Sequence, residues 1–150
     1  MTALERSRHP DPFDLARFIE AQDPVYGRVR AELSDGRKAS HWMWFVFPQI
    51  DGLGFSEMSR RYAIGSIDEA RAYLADPVLG ARLDECTSLV IAAADRPLNR
   101  ILGPVDAVKF HSSMTLFARA AGPDSLSSRA LDVFFGGEPD DATLTLLPAA

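Results

Sequence analysis

Apolar residues recur at helical spacing along most of the chain. Leu15, Phe18, Ile19 and Gln22 fall on one face, with Gln22 extending the apolar stripe. Val25, Tyr26, Val29 and Leu33 repeat the pattern, and Leu79, Leu83, Cys86, Val90 and Ala93 form a longer stripe. Start signals precede these stretches. Asp11-Pro12, Asp23-Pro24 and Asp76-Pro77 each join an N-capping side chain to a residue that needs no N–H partner. Ser66 with Glu69 has capping-box spacing, Asp124 precedes another apolar stretch, and Asp140-Asp141 precede the last. Gly36, Gly65, Gly103, Gly122 and Gly136-Gly137 supply stops. The pattern predicts helices near 12–21, 24–35, 56–63, 67–75, 77–94, 104–121, 125–135 and 141–147. No period-two alternation is long enough for a sheet. The expectation is an all-α, compact single-domain bundle of about seven or eight short helices over 1–150, with residues 1–10 a flexible tail.

One stretch resists periodicity. His41–Gln49, HWMWFVFPQ, places seven consecutive apolar residues, Trp42 to Pro48, between His41 and Gln49 and holds both tryptophans. Such a run cannot be half exposed in either regular structure, so it is central, as a buried helix or a strand. Ser40 is a candidate cap and Pro48 a stop. His41 and Gln49 flank the run. They either bond to backbone as buried polar groups must, or stand at the edge of an aromatic-walled pocket.

A second stretch is DAVKFHSSMTLF, residues 106–117. On a helix, Asp106, Lys109 and Ser113 share an arc with Phe110 and Phe117, while His111 lies elsewhere with Thr115. Lys109 and Ser113 are four apart, within side-chain reach. A desolvated lysine activates a serine hydroxyl, so Ser113, Lys109 and His41 are catalytic candidates. The structural alternative pairs Lys109 with Asp106 and turns Ser113 back on its own helix.

HWMWFVFPQ, followed by Gly52-Leu53-Gly54, and KFHSSMTLF at 109–117 resemble a family of small all-helical bacterial proteins of unknown function, sometimes labelled calpastatin in genomes. EAxxYL at 69–74 and LGARL at 79–83 extend the likeness over nearly the whole chain. The resemblance implies an all-helical fold, tips the block toward helix, and implies no established activity. A fainter likeness to small helical proteins that process ADP-ribose, without an alignable catalytic motif, points toward a nucleotide-type ligand.

Composition narrows the rest. With 47% hydrophobic and 25% charged residues, the 150-residue chain is that of a folded domain. A net charge of −5 argues against general nucleic-acid binding, although Arg37-Lys38 and Arg60-Arg61 are local basic pairs. Cys86 is the sole cysteine, and its mid-stripe place suits a buried, inert thiol. His9, His41 and His111 are scattered, so neither a metal nor a cofactor is expected. Asp51–Ser56 lacks the phosphate-loop motifs and reads as a turn. No apolar run reaches the roughly 18 residues of a membrane span, and the N-terminus has no signal-peptide core, so cytoplasm is the expected compartment.

The functional expectation is a small-molecule-binding domain for an anionic, ring-bearing, nucleotide-like ligand. Trp42, Trp44, Gln49, Lys109, Ser112 and Ser113 are the ligand-binding candidates. A hydrolase with His41 as general base is its catalytic version. The alternative is a protein-interaction or homodimerising module without activity.

Overall fold

The computed structural model describes residues 10–147. Apart from Pro10, the expected tail lies outside them. Among the described residues the chain forms ten helices rather than seven or eight. They are α1 (Ala16–Gln22), α2 (Tyr26–Ser34), α3 (Met43–Val46), α4 (Glu57–Arg61), α5 (Ile67–Ala75), α6 (Leu79–Ala92), α7 (Leu98–Leu102), α8 (Pro104–Ala121), α9 (Leu126–Phe135) and α10 (Asp141–Leu146). The two that periodicity misses, α3 and α7, span four and five residues, too few to repeat a 3.6-residue pattern. One parallel bridge, Ile50 to Ile64, is the β pairing among the described residues.

Side-chain caps explain four of the ten described helix starts. Ser66 Oγ accepts from Glu69 N at 3.1 Å, and Glu69 Oε1 reaches back to Gly65 N at 3.0 Å. Ser125, one residue after Asp124, caps α9, and Asp140 caps α10. Two Asp-Pro pairs work differently from simple caps. Asp23 closes α1 and pairs with Arg82 at 2.8 Å, so α2 starts later, at Tyr26. Asp11 accepts from Leu15 N and Ala16 N across a turn in which Asp14 takes a left-handed φ of 53°.

Helix α8 is the central post, packed against α5, α7, α9 and α10. Its turns from Phe110 to Phe117 are buried apart from half-buried His111. Phe110 meets Phe47 edge-on at 5.0 Å, and Phe117 meets Tyr73 at 5.2 Å. Burying a phenylalanine side chain stabilises a fold by about 1.5–3 kcal/mol, so the first contact holds the apolar block, and the second α5, against α8. Gln22 is buried, and its amide donates to Phe45 O at 2.7 Å and to Tyr73 Oη at 3.2 Å. Its place on an apolar face thus reflects a buried hydrogen bond that ties α1 to α3. Cys86 is fully buried, which pushes its thiol pKa up to about 11. No described helix is long and apolar enough to cross a membrane.

Candidate functional site

The segment between α2 and α3 is shaped by one carboxylate. Glu32 Oε1 accepts from Ala39 N at 2.7 Å, Ser40 N at 2.9 Å and Trp42 Nε1 at 3.0 Å, while Oε2 accepts from Ser40 Oγ. Burial pushes the Glu32 pKa up, but these donors outweigh it and hold the carboxyl at about 2. Ser40 therefore serves Glu32, and α3 begins without a side-chain cap. Lys38 fastens the same segment to the other side. Its N–H donates to Ile101 O at 2.7 Å, and its Nζ meets Asp106 Oδ2 at 2.8 Å.

The segment delivers its residues to different places. Trp42 is 1% exposed and packs on Phe47, so its ring belongs to the core. Trp44 is half-buried, and His41 is exposed. Across from them α8 begins. Gly103 has φ 88° and ψ 155°, a conformation essentially confined to glycine, and Pro104 follows at the first helical position. No side chain caps this helix start. A cavity of about 350 Å³ lies between the two segments, lined by Lys38, His41 and Trp44 on one side and by Pro104, Asp106 and Lys109 on the other.

The charges here are unequal in commitment. The Lys38 side chain is 7% exposed and tightly paired with Asp106. Lys109 is 24% exposed, stands a loose 3.8 Å from the other oxygen of Asp106, and lies 5.1 Å above the Trp44 ring. It is a cation over an aromatic face, and rotating its side chain would release both.

A second chamber of about 510 Å³ shares Pro104, Val105 and Lys109 with the first and reaches Gln49, Leu53, Val108 and Ser112. Ser112 Oγ donates to Asp140 Oδ2 at 2.9 Å. Thr143 donates to the same oxygen through its N–H at 3.2 Å and its hydroxyl at 2.6 Å. Burial raises the Asp140 pKa, but these bonds outweigh it and leave it below the usual carboxylate range.

The structure thus brings His41, Trp44 and Lys109 to one cavity, and Gln49, Lys109 and Ser112 to its neighbour. Ser113 stands apart, fully buried, with no hydrogen-bond partner for its Oγ among the described residues. His111 stacks on Phe135 at 3.8 Å beside a separate cavity of about 620 Å³. Glu32 shapes the site without any mark in the sequence, and Lys38, legible there only as half of a basic pair with Arg37, turns out to be a structural partner of Asp106. The proximity of Lys38 to His41 was the available signal, whereas the reach of Glu32 to the following segment depends on how the chain turns. Among the described residues no group of histidine, cysteine, aspartate or glutamate is arranged to hold a metal ion.

Fold and cleft together define a small all-helical domain with a basic, aromatic-walled groove at the start of its central helix. The chain belongs to the family described as "Protein of unknown function (DUF1810)", whose model matches residues 12–147. It is also similar to a solved structure, the conserved hypothetical protein Rv1873 from Mycobacterium tuberculosis. That protein is 51% identical, with a TM-score of 0.90 over 93% of this chain and 100% of the other. No curated protein matches the chain significantly. Neither description states an activity or uses the name calpastatin.

Proposed function

We propose that the protein binds a small anionic, ring-bearing ligand of the nucleotide kind in the cleft between His41–Trp44 and Pro104–Lys109. The observation that carries this reading is the Lys109 ammonium 5.1 Å above the half-buried Trp44 ring. An anion drawing Lys109 aside would uncover an aromatic face for its own ring. The cleft volume of about 350 Å³ falls within the usual range for small-molecule sites. Two lysines against one aspartate give the lining an excess positive charge. Gln49, in the adjoining chamber, supplies a polar contact to the ligand, while Ser112 there stays bonded to Asp140. In the hydrolytic version, His41 is the base at the rim, because Ser113 Oγ is sealed in the core.

A thermal-shift screen against nucleotides and simple phosphates tests the proposal. A ligand at 100 times its Kd stabilises the fold by about 2.7 kcal/mol. Lys109→Ala should abolish the shift and Arg60→Ala should not. No shift across the library, with the protein folded, overturns the reading. The alternative, an interaction module, draws on Phe55, which is 76% exposed and follows Leu53 and Gly54 of the second chamber in the chain.

A further inference from the structure

We infer that the cleft ligand carries an uncharged apolar group beyond its anionic ring, and that this group occupies the second chamber. The inference rests on the reading above and adds a subsite to it. Its basis is a contrast between two joined cavities. The first holds Lys38, Lys109, Asp106 and the exposed His41. The second, of about 510 Å³, is lined chiefly by apolar atoms of Leu53, Pro104, Val105, Val108 and Ala142.

Of the polar groups of the second chamber, Ser59, Ser112 and Asp140 are already engaged, which leaves Gln49 and the shared Lys109. Asp140 is held by Ser112 and Thr143, and Ser59 Oγ is bonded to Ser56 Oγ at 2.9 Å. The negative Asp140 also disfavours a second anion there. Val105 and Val108, three apart on α8, are 69% and 66% exposed. Apolar side chains so open on the wall of a cavity gain from being covered by an apolar group. The chambers share Lys109, Pro104 and Val105, so one molecule can reach from one to the other without leaving the surface. The ligand class is therefore an aryl or nucleoside phosphate bearing an alkyl, acyl or second aryl substituent.

The test compares inorganic phosphate, phenyl phosphate and 4-hexylphenyl phosphate by titration calorimetry, with the last kept below its micelle concentration. In the wild-type protein the hexyl compound should bind about tenfold or more tighter than phenyl phosphate. Val108→Gln and, separately, Leu53→Ser should remove that gain and leave phenyl phosphate binding as it was. Lys109→Ala should weaken both aryl phosphates. Melting curves of each variant report that it is folded, and Val108→Gln alters an exposed side chain if Leu53→Ser fails to fold. Equal affinity for the two aryl phosphates overturns the subsite while sparing the first reading. A gain that survives in every folded variant also overturns it, as binding elsewhere. Failure of both aryl phosphates to bind overturns the subsite and the reading together.

Discussion

Pro104, Val105 and Val108 of α8 face open space, whereas Phe110, Met114 and Phe117, further along the same helix, are wholly buried. The later turns read as a core helix should, with aromatic contacts to Phe47 and Tyr73. The early turns keep apolar residues that packing does not require and add a lysine, Lys109, only loosely paired. Where α8 emerges from the core, its composition stops following burial. That departure marks the candidate site more sharply than any single polar residue does. The two lysines at Asp106 repeat the contrast: Lys38 is an internal strut, and Lys109 is free to respond.

The comparison can be broken in four ways. Phe110→Ala should cost about 3–5 kcal/mol in urea denaturation, because it empties a fully buried ring site. A loss below about 1 kcal/mol would show that the late turns of α8 are not the post described. Glu32→Gln should cost about 1–3 kcal/mol by removing charge-assisted acceptance from the segment that carries His41. Its pH signature is separable. The Glu32 carboxyl titrates at about 2 when folded against an ordinary 4.5, so its contribution is full above about pH 4.5 and fades as pH falls toward 2. The variant should flatten that acid limb in melts recorded across the range, leaving the smaller part due to Asp140.

Ser113→Ala should be neutral or stabilise by up to about 1 kcal/mol, since its hydroxyl is buried without a partner. Marked destabilisation in a denaturant titration would instead reveal an unseen partner, such as a buried water. Lys109→Ala should change stability by no more than about 0.5 kcal/mol, as expected for a loose, partly exposed ion pair. A larger drop would make Lys109 a structural residue like Lys38 and erase the distinction between them.

Much of the bundle was legible because helix starts carry local chemistry. Ser66 and Asp140 bond the backbone three residues on, and that information is contained in a short window, although at α9 the cap is Ser125 and not the expected Asp124. What a window cannot carry is direction within an unbroken apolar run. Trp42 and Trp44 stand two apart in one apolar run, and the polar neighbour His41 adjoins Trp42, the core ring, rather than Trp44, the cleft ring. Ser112 and Ser113 differ for a similar reason. A rotation of 100° about α8 decides which meets Asp140 and which is sealed without a partner. The expectation that Lys109 and the tryptophan block lie close rested on two separate segments, and the contact of Lys109 with Trp44 is how the fold joins them.

The pinned pair Ile50 and Ile64 has a consequence for how such a domain can vary. Asp51 N donates to Ile64 O and Ile64 N to Gln49 O, each at 2.8 Å, so the chain leaves and re-enters the bundle at one fixed gate. Between them, α4 and the buried Tyr62 belong to the frame, while the loop from Asp51 to Phe55, which carries Leu53, is an excursion whose length the helices do not set. Lengthening or trimming it would retune one wall of the groove and leave the helical frame in place. In a protein engineer's terms, this is a cassette position.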